Sequence, residues 1–180
     1  MRLFFALWPD DAVRTRLAGV AGTLHLPGRA RYVPRENYHL TLAFVGEVAK
    51  SQVGVLQQIG SDQPGCGCTI TFDSYDYWRE PQVAVTVARE PPAALIELAM
   101  RLRHDLGAHA AALIAHRPDS PLRAHVTLAR KVAQAPVLPA MSAFSWSARS
   151  FALVRSDTSG AHSVYTVVDT WPLLYAKPNP

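Results

Sequence analysis

His39-Leu40-Thr41-Leu42 returns 86 positions later as His125-Val126-Thr127-Leu128. Each instance reads His, apolar, Thr, apolar. With ten threonines among 180 residues, a chance doubling of this pattern is rare, roughly 0.4 %. Strand side chains alternate, so positions i and i+2 share a face. In a strand, His39 and Thr41 point one way while Leu40 and Leu42 point the other. The same holds for His125 and Thr127 against Val126 and Leu128. Each strand lays apolar residues on a core and offers an imidazole beside a hydroxyl to a cleft. Two such strands, one from each half of the chain, bring two imidazoles and two hydroxyls around one ligand.

The flanking sequence supports that frame. Arg2–Trp8 is an aromatic-rich apolar run suited to a buried strand. Asp10-Asp11 opens a helix, since acidic groups favour a helix N-terminus, and Val13, Leu17, Val20 and Leu24 keep helical spacing up to Pro27-Gly28. A short strand is expected at Arg31–Val33 and a longer one at His39–Val45. A second helix is expected over Ser51–Ile59, followed by a loop at Asp62–Gly67. Cys68–Tyr77 and Val83–Ala88 read as a hairpin whose loop is Trp78–Gln82. Pro91-Pro92 introduces the longest helix, to Ala112 or beyond, striped by Leu95, Leu98, Leu102 and Leu106. After a loop at His116–Arg123 come strands at His125–Arg130, Ser142–Val154 and Val164–Thr170. The tail Lys177–Pro180 is expected to fray. Helices separated by pairs of strands argue for α+β with antiparallel sheets. No linker divides the chain, so residues 1–180 read as one domain, or as two small lobes sharing a core.

Composition removes several classes. About half of the residues are apolar (49%) and 18% are charged, enough for a sizeable core. The net charge is +4, too weak to diagnose nucleic-acid binding by itself. No apolar run is long enough to span a bilayer, and the first residues turn acidic too soon for a signal peptide. Cys66 and Cys68 are too few for a disulfide framework or a thiolate zinc site. They read as free thiols.

The doubled motif suits phosphoryl chemistry. A neutral imidazole accepts a proton from attacking water, and an imidazolium donates one to a leaving alkoxide. The Thr41 and Thr127 hydroxyls can hydrogen-bond non-bridging phosphate oxygens. With no Asp-rich or Cys cluster, the economical reading is acid–base catalysis with no metal and no cofactor. His25, His104, His109, His116 and His162 fall in helix or loop contexts and read as surface residues. Seven cations lie within ten residues of the motif histidines: Arg29, Arg31, Arg35, Arg117, Arg123, Arg130 and Lys131. Only Glu36, Glu47 and Asp119 oppose them there. An anion-attracting cleft and a scatter of solvated arginines both fit that count. Arg130 is a candidate phosphate ligand, but strict alternation sets it on the face opposite His125 unless the strand bends after Thr127.

Pro34–Val48 and Arg123–Arg130, which hold the two motifs, resemble the two-histidine phosphoesterase superfamily. Within it, the match is to bacterial and archaeal RNA 2′,3′-cyclic phosphodiesterases, the 2′-5′ RNA ligase family. The opening Arg2–Pro9 and the closing Tyr165–Leu173 resemble that family too. Ala124 stands where the family often has Pro, and Tyr38 replaces a commonly aliphatic residue. The resemblance implies a bilobal α+β fold with pseudo-twofold symmetry, antiparallel sheets, helices outside and a central cleft. It implies hydrolysis of RNA 2′,3′-cyclic phosphate ends to 2′-phosphate, with reversible 2′-5′ ligation in some members. It also implies His39 as proton donor, His125 as proton acceptor, and Thr41, Thr127 and Arg130 at the phosphate. The expected partner is RNA with 2′,3′-cyclic phosphate or 2′-5′ linked ends, met by a cytoplasmic monomer free of membranes. A two-histidine enzyme for a small cyclic nucleotide and an RNA-end binding module are the alternatives.

Overall fold

The computed structural model describes residues 1–110, 121–158 and 163–175. The expected helix beyond Ala110, His116, His162 and the tail Lys177–Pro180 lie outside the described residues. The strands are β1 (Arg2–Leu7), β2 (Arg31–Tyr32), β3 (Leu40–Glu47), β4 (Cys68–Phe72), β5 (Ser74–Trp78), β6 (Val83–Val87), β7 (His125–Arg130), β8 (Phe144–Ala148), β9 (Ser150–Asp157) and β10 (Val164–Pro172). The helices are α1 (Asp11–Gly22), α2 (Val53–Ser61) and α3 (Ala93–Ala110). Two four-stranded antiparallel sheets, ordered β10-β9-β1-β3 and β2-β7-β6-β5, form the two lobes, and β4-β8 makes a third ladder. The bilobal α+β reading holds.

Two expected strands each divide. Cys68–Tyr77 breaks at Asp73 into β4 and β5, and Ser142–Val154 breaks at Arg149 into β8 and β9. In both places the first piece pairs in the small ladder and the second in a lobe sheet. Each break falls at one polar pair, Asp73-Ser74 and Arg149-Ser150, too short a signal to separate two strands in the sequence. Trp78, expected in the hairpin loop, is the last residue of β5.

The helices follow their sequence signals. Asp10 caps α1, its carboxylate accepting from the Val13 amide at 2.9 Å. The α3 stripe Leu95, Leu98, Leu102 and Leu106 is buried in the main core, each side chain worth about 1.5–3 kcal/mol of burial. Trp171 packs between Phe5 and Phe151. It presses so close to Gly60 of α2 that a Cβ there would sit 2.4 Å from the indole. β1 is apolar on both faces. Leu3, Phe5 and Leu7 enter the main core, while Phe4 and Ala6 join Ala152 and Val154 in a second cluster against Trp8, Phe44 and Tyr165. That second cluster floors the cleft between the lobes.

Candidate active site

β3 and β7 carry the same local distortion. Opposite β1, Phe5 pairs with Ala43 but Ala6 pairs with Thr41, so Leu42 is an extra residue. Opposite β6, Ala84 pairs with Ala129 but Val85 pairs with Thr127, so Leu128 is extra. These are β-bulges, and a bulge shifts the alternation by one residue. Leu42 and Ala43 are consequently both buried, as are Leu128 and Ala129. The freed carbonyls find donors: Arg103 Nε donates to Leu42 O at 3.0 Å, and the Val33 amide donates to Leu128 O at 2.8 Å.

The bulge decides where Arg130 points. Strict alternation sets it opposite His125, but beyond Leu128 the phase is reversed. Arg130 reaches the same cleft as His39, Thr41, His125 and Thr127. Its counterpart in β3 is Phe44, which lines that cleft too. The opening, its solvent-facing side included, spans about 1010 Å³.

Both imidazoles are held by one device. His39 Nδ1 lies 2.6 Å from the Asn37 carbonyl, and His125 Nδ1 lies 2.6 Å from the Arg123 carbonyl. A carbonyl oxygen only accepts, so Nδ1 carries the proton. Nε2 is left without the proton, an acceptor when the ring is neutral. In each motif the tie reaches back two residues, to the segment just before the strand.

The walls around the rings were not legible in the sequence. His39 sits among Phe4 (centroids 4.9 Å apart), Tyr165 (5.1 Å, edge-on) and Trp8 (6.0 Å, stacked). The Arg14 guanidinium lies 5.0 Å from the Trp8 ring centroid and is anchored by the carbonyls of Pro9 and Arg35. His125 packs against Trp78 at 4.4 Å, and Arg123 covers Trp78 at 4.1 Å. Asp76 Oδ2 accepts from both Trp78 Nε1 (2.7 Å) and Arg123 Nη2 (3.0 Å). Each lobe thus stacks His, Trp and Arg in sequence. The only sequence signal for Trp8 and Trp78 was an aromatic beside a strand end, which core residues share.

Burial pushes the His39 pKa down to about 4, with Arg130, His125 and Arg14 pushing the same way and the Asn37 carbonyl opposing them. Burial also lowers His125, opposed by the Arg123 carbonyl and assisted by the charges of Arg123 and Arg130. Both rings are therefore neutral at pH 7 in the free protein. An anion bound between them favours the imidazolium form.

The remaining sequence candidates separate. Arg35 pairs with Asp11 at 3.7 Å, outside the cleft lining. Arg29 is exposed, and Arg117 lies outside the described residues. His25 and His104 are exposed, as expected. Cys66 and Cys68 are free thiols. Among the described residues no group of three or more His, Cys, Asp or Glu could hold a metal ion, and no helix is long and apolar enough to cross a membrane.

A model of the 2′-5′ RNA ligase superfamily matches residues 9–160. The chain is 32% identical over 174 residues to the RNA 2′,3′-cyclic phosphodiesterase of Escherichia coli (strain K12), covering 96% of each chain. Among solved structures, a phosphoesterase superposes with a TM-score of 0.84 at 32% identity, over 96% of this chain and 98% of the other. E. coli LigT complexed with 3′-AMP also gives 0.84, at 30% identity over 96% and 97% of the two chains.

Proposed function

This chain belongs to the 2′-5′ RNA ligase superfamily, and from that membership we propose that it hydrolyses RNA 2′,3′-cyclic phosphate ends to 2′-phosphates by two-histidine acid–base catalysis. The observation that carries the reading is the pair of imidazoles, each tied through Nδ1 with Nε2 free, lining one cleft with two threonines and an arginine.

A 2′-phosphate product requires cleavage of the P–O3′ bond. The attacking and leaving oxygens lie roughly in line on opposite sides of phosphorus. One imidazolium must stand beside O3′ and one neutral imidazole beside water. His39 is the proton donor to O3′, and His125 takes the proton from water. Thr41 and Thr127 donate hydrogen bonds to the non-bridging oxygens. Arg130 balances the phosphate charge, where a charge-assisted hydrogen bond is roughly twice as strong as a neutral one. With a 5′-hydroxyl attacking in place of water, the same forward steps form a P–O5′ bond, break P–O3′ and yield a 2′-5′ linkage. In the reverse direction O3′ attacks phosphorus and the 5′-oxygen leaves, so the two histidines exchange roles, as microscopic reversibility demands.

Phosphate binding also addresses the low imidazole pKa values. The substrate is an anion before and after it binds, so it stabilises one imidazolium in the complex that the free site disfavours.

The test is a product assay on an oligoribonucleotide ending in 2′,3′-cyclic phosphate, with EDTA present. The expected product is the 2′-phosphate, formed at an undiminished rate under chelation. A 3′-phosphate product, or activity that is lost in EDTA and returns with a divalent ion, overturns the mechanism. Binding without turnover favours an RNA-end binding module.

A further inference from the structure

Beside the cleft runs a second groove of about 580 Å³, lined by Arg31, Tyr32, Arg130 and Lys131 together with Asn37 and Tyr165. Arg130, Ser163 and Tyr165 line both openings, so the two are continuous. Three features set the groove apart.

Three cations converge there, and no acid lines the groove among the described residues. Arg31 and Arg130 are Cα partners in the β2–β7 ladder, and Lys131 follows directly. All three are exposed, and none forms an ion pair among the described residues. Lys131 has a φ of 58°, in the left-handed region that ends β7.

An aromatic ring stands among them. Tyr32 is 48% exposed, yet its hydroxyl is anchored to the Leu24 carbonyl. A fixed, accessible ring beside unpaired cations is the combination that takes a single-stranded nucleic acid, bases stacking while the backbone tracks the charge.

The groove is also tied to the catalytic ring. The buried Asn37 side chain donates to the Ser163 carbonyl at 2.8 Å, while the Asn37 carbonyl holds His39. One residue therefore fixes both an imidazole and the shared wall.

We propose that this groove is the subsite for the RNA strand 5′ to the cyclic phosphate, with Arg31 and Lys131 on the next backbone phosphate and Tyr32 stacking the adjacent base. The inference rests on the cyclic phosphodiesterase reading. A cyclic phosphate ends its strand, so the rest of the RNA leaves the cleft in the 5′ direction only. The groove opens from the cleft at Arg130, which bridges the terminal phosphate and its neighbour. The ligand class is then oligoribonucleotide rather than mononucleotide.

The experiment compares a short oligoribonucleotide 2′,3′-cyclic phosphate with a nucleoside 2′,3′-cyclic monophosphate, in wild type, Arg31→Gln, Lys131→Asn and Tyr32→Leu. Asn is chosen at position 131 because it tolerates a positive φ. The wild type is expected to show a lower KM for the oligonucleotide. Each charge variant should raise that KM about tenfold and leave mononucleotide kinetics unchanged. The slope of log KM against log salt should shrink by about 0.7 for each phosphate charge left unneutralised. Tyr32→Leu should raise KM with no change in salt slope. Unchanged mononucleotide kinetics in a variant also show that it is folded. Equal KM values for both substrates, or charge variants indistinguishable from wild type on the oligonucleotide, overturn the subsite and leave the activity standing. A wild-type protein that turns over neither substrate overturns the activity itself.

Discussion

His39 and His125 share a backbone tie and differ in their walls. Each Nδ1 meets the carbonyl two residues earlier at the same 2.6 Å. Each strand bulges one residue after its threonine. Around His39 the neighbours are Phe4, Trp8 and Tyr165, and the nearby Arg14 is held by carbonyls alone. Around His125 there is, among the described residues, a single aromatic wall, Trp78, backed by Arg123 and the carboxylate of Asp76. The position after each bulge differs too, Phe44 in one strand and Arg130 in the other. The duplicated frame fixes the tautomer of both rings, and the unshared walls set how readily each holds a proton. A pseudo-symmetric site can run an asymmetric reaction in this way.

The largest effect should come from breaking the pair itself. His39→Ala and His125→Ala are each expected to lower kcat about 10²–10⁴-fold with the fold intact. A substrate with sulfur at the 3′ leaving position needs little help from an acid. It should rescue His39→Ala and fail to rescue His125→Ala. The opposite pattern reverses the roles of the two lobes, and near-wild-type turnover in either alanine variant defeats the mechanism.

Next come the groups proposed to hold the phosphate. Arg130→Leu makes β7 resemble β3 at the Phe44 position and is expected to cost about ten- to a hundredfold in kcat/KM, the scale of a hydrogen bond to a charged group. Thr41→Ala and Thr127→Ala each remove a neutral donor from the phosphate and should cost about tenfold, the low end of the range for a hydrogen bond to a charged group. Steady-state kinetics at fixed ionic strength rank these variants. A threonine loss as deep as the histidine loss means the hydroxyls do more than bind phosphate.

A smaller change isolates the second lobe. Asp76 touches no reacting atom, and its carboxylate orients Trp78 and Arg123 behind His125. Asp76→Asn keeps an acceptor for the indole but leaves the Arg123 charge unbalanced. It should lower kcat by roughly fivefold or less, as expected for a partly exposed ion pair, with KM unchanged. The pH limb belonging to His125 should move to lower pH, because an unneutralised guanidinium further disfavours imidazolium. An unmoved limb would reduce Asp76 to a structural role.

The subtlest readout is pH. Both histidines titrate below the ordinary value of 6.5 in the free protein, His39 at about 4. The kcat/KM profile, which reports the free enzyme, should therefore be bell-shaped with its maximum on the acid side of pH 6.5. The kcat profile should lie at higher pH, since bound phosphate favours imidazolium. Stability follows the same sign. The unfolded chain takes up these protons near pH 6.5 and the folded chain does not. Stability is therefore fully present above pH 6.5 and declines as pH falls toward 4. Urea midpoints at pH 7 and pH 5 should differ more for wild type than for His39→Gln.

The sequence by itself determined the doubled motif, the face shared by His and Thr, and the element order that makes an antiparallel α+β fold. These are local properties. Period-2 alternation places His39 with Thr41, an acidic cap starts α1, and a leucine stripe spaced along one face buries α3. The tertiary structure alone decided the rest. Arg130 faces the cleft only because Leu128 bulges, and that bulge exists in the pairing of β7 with β6, which no window of β7 contains. Trp8 and Trp78 became the walls of the two imidazoles through packing across 31 and 47 residues of chain. The depressed pKa of His39 arises from burial among side chains of β1 and β10. Register, burial and charge proximity are properties of pairs distant in sequence, so they appear only when the sheets have closed around the cleft.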